Sequence, residues 1–278
     1  MTKGCICWVV ALLPEAKPLI AKLEMNLISA DTLHPIYNNK TGTDWLVVSG
    51  VGQINVASGS ATLYQACPKS KSAIWVNIGI AGGRTAGIGE LFYVNSIRKA
   101  FTNKTFYPFI FPNLKIKHIS LVTHDSPQKN YNQDYIVDME AWAFYKTIQK
   151  RVNREFIAVF KVISDSSEES MKSLTKLNIF NLINNKLEFL DNFRIKAQTL
   201  SQDEFRRQSM PEIFDQLVNK FHFTFTQTQQ LKHLIKRWHI IFPGKSLKSA
   251  IQGHKSAKAI LKNISDRLDI VEVDWGEY

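Results

Sequence analysis

Ile157-Ala158-Val159-Phe160-Lys161-Val162-Ile163-Ser164-Asp165 is the stretch that decides the fold. Its first four residues are apolar and rich in β-formers, which predicts a buried strand. The apolar run that follows ends in an aspartate. Ligands of open α/β sheets bind outside the carboxyl ends of the strands, so a carboxylate there stands where chemistry is done. Upstream, Val137-Asp138-Met139-Glu140-Ala141 opens a helical run and places two more carboxylates near a helix start, where the dipole favours negative charge. These acids also fit a plainer role, as an N-terminal helix acid and an N-cap aspartate.

Working outward, residues 5–13 form a nearly unbroken apolar run, the pattern of a central strand covered on both faces. Pro14 stops it, and Glu15 opens a helix through Leu19, Ile20 and Leu23. Residues 45–48 predict a strand that breaks at Ser49-Gly50-Val51-Gly52, followed by a small-residue helix over 55–66. Residues 74–78 predict another, ending in Gly79-Ile80-Ala81-Gly82-Gly83, and residues 92–97 and 119–123 complete the set. Strands alternating with helices predict an α/β fold, its sheet largely parallel with helices on both faces. Beyond Asp165 the pattern turns helical, over 168–190, 205–220, 228–239 and 246–268, with Leu231, Leu234, Ile235 and Trp238 on one stripe. With no Gly/Ser linker in between, the expectation is an α/β domain over 1–198 with a helical C-terminal extension, 199–278, packed on it.

The chain has 278 residues, 45% apolar and 21% charged, an ordinary globular composition. No apolar run approaches the roughly 18 residues of a membrane span, and the N-terminus lacks the pattern of a secretion signal. Cys5 and Cys7 lie two apart on a predicted strand and Cys67 stands alone. Without metal-ligand spacing they read as reduced thiols of a cytoplasmic protein, packed as small hydrophobes, with no metal. The net charge of +11 is diffuse: residues 199–278 hold 12 basic and 9 acidic residues, the rest 23 and 15. A spread field of this kind recruits anionic ligands but gives no reason to place nucleic acid among the partners. The aromatic stretch Phe101, Phe106, Tyr107, Pro108, Phe109, Phe111 fits a lid or binding wall, and equally a loop packed on the core or a dimer contact.

The glycines at 50 and 52, and at 79, 82 and 83, let backbone approach a ligand closely. Neither group is Gly-x-Gly-x-x-Gly, so no dinucleotide fingerprint is present. Pro243-Gly244-Lys245-Ser246 imitates the end of a Walker motif but has His239 where the first glycine belongs, and is rejected. The histidines form no metal-binding pair; His124-Asp125 is a candidate only because it follows a strand. A serine-nucleophile elbow is absent.

Taken in order, Ala11-Leu-Leu-Pro-Glu15-Ala, Ser49-Gly-Val-Gly52, Asn77-Ile-Gly-Ile-Ala-Gly-Gly83, Gly89-Glu90, Val137-Asp-Met-Glu140-Ala and Val162-Ile-Ser-Asp165 resemble the signatures of the nucleoside phosphorylase superfamily. Within it the resemblance is to the methylthioadenosine/S-adenosylhomocysteine nucleosidases and their phosphorylase-like relatives, over roughly residues 4–190. It implies a three-layer α/β/α sandwich around a mixed, partly barrelled central sheet, to which the C-terminal helices are an appendage, and a homodimer. It also implies roles: Asp165 protonates the leaving base, Met139 and Glu140 hold the ribose, and Glu15 sits near the nucleophilic water. Gly52, Ile80, Gly82, Lys161 and Asp125 complete the expected substrate site, with no cofactor. The chemistry agrees, since cleaving an N-glycosidic bond builds positive charge on the sugar and negative charge on the base.

The chain also departs from the family pattern. Ile80 stands where the family carries serine, Lys161 replaces an arginine four residues before the aspartate, and Asn77 stands at the phosphate-binding arginine. Ser126-Pro127 replaces a base-stacking aromatic, leaving Phe106, Tyr107 or Phe109 to take its place. Lysine offers a point charge rather than a planar fork, which argues against tight phosphate binding. The leading expectation is hydrolysis of the N-glycosidic bond of a purine nucleoside or thionucleoside. The alternatives are a phosphorylase, or a catalytically degenerate nucleoside-binding scaffold whose helical tail binds a partner.

Overall fold

Strand β10 (Ile157–Asp165) is buried along all nine residues because it is hydrogen-bonded on both edges and covered on both faces. The computed structural model describes residues 4–29, 33–84, 87–128, 134–167, 173–242, 244–254 and 256–270. The chain divides into two compact units, Met1–Arg207 and Gln208–Tyr278.

The first unit is a mixed sheet with helices on both sides. In chain order it comprises β1 (Ile6–Val10), α1 (Leu13–Lys22), β2 (Met25–Ser29), β3 (Ile36–Asn39), β4 (Asp44–Val48), α2 (Gln53–Ala66), β5 (Ile74–Gly82) and β6 (Leu91–Lys99). Then come β7 (Thr105–Phe106), β8 (Lys117–Thr123), β9 (Ile136–Asp138), α3 (Ala141–Ile148), β10, α4 (Lys176–Asn184) and α5 (Leu187–Gln208). The sheet runs β10-β6-β8-β9-β5-β1-β4-β3-β2, and β10 also pairs with β5, which closes a five-stranded ring at one end. The strands β4, β1, β5 and β10 are mutually parallel, so their carboxyl ends emerge side by side. At their opposite ends α5 lies against the sheet: the backbone N–H of Cys5 donates to Ser201 Oγ at 2.7 Å, and a Cβ on Gly4 would overlap the Gln198 carbonyl.

Several elements differ from the sequence expectation. Pro14 does not close a strand; it sits in the first turn of α1, where its missing N–H costs nothing. The glycines at 79 and 82 lie within β5 rather than in a turn after it, and their neighbour Gly83 follows directly. Val137 and Asp138 belong to a short strand, with the helix starting only at Ala141. Of the readings left open for the aromatic stretch, core packing holds for Phe106, against Trp142 and Tyr145, and for Phe111, against Phe193 at 5.0 Å, while Phe101 and Tyr107 are exposed.

α5 runs unbroken through positions 198 and 199. The second unit holds α6 (Glu212–Lys220), α7 (Phe225–Ile241), α8 (Lys248–Ile251) and α9 (Ala257–Asp269). The expected helix over 205–220 is interrupted at Pro211, which caps α6, and the one over 246–268 at Gly253, whose φ of 84° leaves the helical region. The stripe of Leu231, Leu234, Ile235 and Trp238 is buried in this unit's own core with Phe214, Leu217 and Ile264. Thr224 and Ser256 cap α7 and α9 through their side chains. Pro243 and residues 168–172, part of two segments singled out in the sequence, lie outside the described residues. Among the described residues no helix is long and apolar enough to cross a membrane.

Candidate active site

The carboxyl ends of β1, β5 and β10, with β9 beside them, surround a pocket of about 170 Å³. Its lining includes Leu12 and Glu15 beyond β1, Ile80 and Gly82 on β5, Met139 and Glu140 after β9, and Ser164 and Asp165 at the end of β10. Ser126, Pro127 and Gln128 supply another wall, together with Leu174.

Each acid is placed by backbone geometry. Glu15 is the third residue of α1 and reaches back to accept from the Leu12 N–H at 2.8 Å, while its other oxygen accepts from the Ile80 N–H at 2.8 Å. That second bond comes from the main chain of residue 80, so it is indifferent to the isoleucine side chain there. Glu140 accepts from Gly52 N–H at 2.8 Å and Met139 N–H at 3.2 Å. Gly52 has a φ of 96°, a conformation that favours glycine, and this aims its N–H at the carboxylate. Asp165 is tethered through its own carbonyl, which accepts from Gly83 N–H at 2.9 Å, and its carboxylate receives the Ser164 hydroxyl.

Beneath the pocket lies one buried cation. Lys161, 1% exposed, donates to Asp138 at 2.9 Å; Asp138 also accepts from Thr123 Oγ1 at 2.7 Å and from the Ala141 N–H at 2.8 Å. Lys161 pairs in register with Gly79 of β5, and the bare glycine is what makes the arrangement possible. A Cβ there would stand 3.0 Å from Glu15 Oε1 and 3.6 Å from Lys161 Nζ. Glycine therefore leaves room for both Glu15 and Lys161 to close in on β5 at this point.

Electrostatics follow from this burial. Desolvation pulls Lys161 down, but Asp138, Glu140 and Glu15 outweigh it and hold the ammonium above its ordinary value. Burial pushes Glu15 up against the Ile80 and Leu12 amides and Lys161. Glu140 rises to about 7, through burial first and repulsion from Asp138 second, opposed by Lys161 and the Gly52 amide. The site thus holds one carboxyl group, Glu140, poised near neutrality, as acid–base work requires.

Of the residues singled out in the sequence, Asp165, Glu15, Glu140, Met139, Ile80 and Gly82 meet at the pocket. Gly52 supports Glu140 rather than lining it, and Lys161 lies behind the wall. Asp125 is exposed and takes a hydrogen bond from Gln53, outside the lining. Phe106, Tyr107 and Phe109 are not lining residues, so they do not replace the missing aromatic. Asn77 is buried inside β5, donating to the Val9 carbonyl at 3.1 Å. The residue that sequence reasoning undervalued is Asp138: its helix-start position was legible, but its partner is 23 positions away on another strand, and no local spacing encodes that.

The structure is similar to that of the 5′-methylthioadenosine nucleosidase of Arabidopsis thaliana in its apo form, with a TM-score of 0.58 and 19% identity over 70% of this chain and 97% of that one. It is similar to an MTA/SAH nucleosidase, with a TM-score of 0.56 and 18% identity over 70% and 97%. It is also similar to the Helicobacter pylori 5′-methylthioadenosine/S-adenosylhomocysteine nucleosidase with butyl-thio-DADMe-immucillin-A, with a TM-score of 0.57 and 12% identity over 70% and 99%. At such identities the likeness is one of fold, and the fold of this chain is that of the MTA/SAH nucleosidases. No protein-family model and no curated protein sequence matches the chain.

Proposed function

We propose that this protein hydrolyses the N-glycosidic bond of a purine nucleoside or thionucleoside. The observation that carries the proposal is the convergence of Asp165, Glu140 and Glu15, from three separate segments, on one pocket at the carboxyl ends of the parallel strands. In this reading Asp165 donates a proton to the departing base, Glu140 holds the ribose hydroxyls beside Met139, and Glu15 orients the attacking water. As the bond stretches, positive charge develops on the sugar, and the surrounding carboxylates oppose it with fixed negative charge in a site sheltered from water. Lys161 neutralises Asp138 and restrains the repulsion among the acids. The nucleoside-analogue ligand of the H. pylori structure supports a nucleoside as the small-molecule partner.

Water is favoured over phosphate as the nucleophile by charge. Among the described lining residues the ionisable side chains are Glu15, Asp138, Glu140 and Asp165, all acidic. A phosphate dianion gains nothing from such a lining, and Asn77 supplies no positive charge. A homodimer belongs to the same reading, in line with the exposed Tyr107 and Phe109, and light scattering at micromolar concentration tests it.

The deciding experiment is a nucleoside panel assayed by chromatography with and without phosphate. Free base released at a phosphate-independent rate is the expected result. A sugar 1-phosphate formed only with phosphate would make the protein a phosphorylase, and neither cleavage nor binding would leave a scaffold.

A further inference from the structure

Cys67, isolated in sequence, is not isolated in space. It follows α2 as that helix's C-terminal cap and comes within 3.7 Å, sulfur to sulfur, of Cys5. Cys7 completes the group, and all three sulfurs lie within 4.8 Å of one another. We propose that Cys5, Cys7 and Cys67 form a buried thiolate site for a thiophilic d¹⁰ cation, Cu(I) or Zn(II).

Geometry is the first argument. A metal about 2.3 Å from each of three sulfurs sets them roughly 3.8–4.0 Å apart, for tetrahedral or trigonal angles. The Cys5–Cys67 separation of 3.7 Å already matches, and with every sulfur within 4.8 Å Cys7 needs to move by about an ångström at most. The second argument is the number of sulfurs. A disulfide uses two, and convergence of a third adds nothing to it, whereas soft cations are selected by thiolate sets. Third, the group is sealed, with Cys5 and Cys7 at 0% and Cys67 at 2% exposure, so oxidants and alkylating reagents do not reach it in the folded chain. Asp44, whose charge is felt by Cys5, is occupied by side-chain donors from Trp8, Asn39, Thr43, Arg194 and Gln198, which leaves sulfur as the ligand set.

Charge sets the protonation. Zn(II) with three thiolates releases three protons to solvent and leaves a single net negative charge. Cu(I) reaches the same charge by displacing two protons while the third sulfur stays a thiol. Because the site lies between β1 and the end of α2, the bound ion ties the first strand of the sheet to the helix that carries Gly52 at its start. Loading then occurs as the chain folds or through local opening.

The test uses the full chain expressed with added zinc or copper and purified under reducing conditions, with metal content measured by mass spectrometry. About one equivalent of either metal per chain is expected, together with thiolate charge-transfer absorption in the ultraviolet. Cys67→Ser and Cys5→Ser should lose both, and each variant's circular dichroism reports whether it is folded. X-ray absorption of the wild-type chain needs no variant: about three sulfurs at roughly 2.3 Å are expected for zinc, and a sulfur-only shell of about two to three for copper. A nitrogen or oxygen shell, undiminished binding in folded Cys67→Ser, a Cys5–Cys67 disulfide in the purified chain, or less than about a tenth of an equivalent in metal excess would each overturn the proposal.

Discussion

Asp44, at the entry of β4, and Glu140, just beyond the exit of β9, are both buried carboxylates, and the molecule treats them in opposite ways. Asp44 is surrounded by side-chain donors from four segments, with Trp8 at 3.3 Å, Asn39 at 3.1 Å, Thr43 at 2.9 Å, Arg194 at 3.2 Å and Gln198 at 3.3 Å. It pins α5 to the sheet. Glu140 takes its hydrogen bonds from two backbone amides and borders a pocket, with Lys161 beneath it shared among three acids. Burial raises both carboxyls above their ordinary values, but Asp44 is surrounded by side-chain donors, Arg194 among them, whereas Glu140 keeps a face on the pocket. The sheet thus carries one buried carboxylate at the entry of β4, and another at the pocket beside the carboxyl ends of β1, β5 and β10.

The largest effect that would sharpen this contrast is at Asp165. Asp165→Asn preserves shape and removes the proton, so turnover of a nucleoside should fall by about 10²–10⁴ while the melting temperature holds. Equal turnover would remove Asp165 from its role as acid. Next is Lys161→Met, which strips the buried cation from Asp138 and leaves that carboxylate without its counter-charge. Breaking one side of a buried pair costs about 3–5 kcal/mol, measured as a lowered urea midpoint, and adding Asp138→Asn should recover part of the loss. Asp44→Ala should cost about 1–3 kcal/mol for each buried donor left unpaired, Trp8 Nε1 above all, while Arg194 keeps Asp191 at 2.7 Å. Nucleoside turnover should be unchanged in Asp44→Ala; a loss of activity there would break the division between the two ends.

The strands that carry the site were legible because β1, β5 and β10 are apolar runs too short and too β-rich to be anything else. The helical character of the C-terminal region was legible, but neither the number nor the extent of its helices was, since Pro211 and Gly253 break patterns whose apolar spacing continues across them. Asp165, Glu140 and Glu15 could be named from motif order. Lys161 could be named too, but neither its burial nor its partner could. A lysine amid an apolar strand contradicts local patterning, and only the closed sheet, setting it opposite Gly79 and near Asp138, explains why it is tolerated. Nor could spacing reveal that Cys67 meets Cys5, 62 positions away.

The smallest effect is also the most diagnostic of the two carboxylate regimes. Glu140 is pushed up to about 7, above its ordinary value, because burial and Asp138 disfavour its charge. The folded state therefore holds a proton there that the unfolded chain has already released. That contribution to stability is complete below the unfolded value and is lost as pH rises towards 7. A cationic iminoribitol nucleoside mimic reverses the preference, since it is attracted by the ionised carboxylate. Its affinity should climb by up to about tenfold per pH unit on the approach to 7 and level off above. Glu140→Gln removes both trends, so the informative quantity is the difference between wild type and variant, which cancels the titration of the mimic itself. Calorimetric affinities and melting temperatures taken from pH 5 to 8 should then diverge in opposite directions, stability falling while affinity rises. If the two proteins instead track each other across that window, Glu140 is as locked as Asp44, and the distinction between the two ends of the sheet fails at its weakest point.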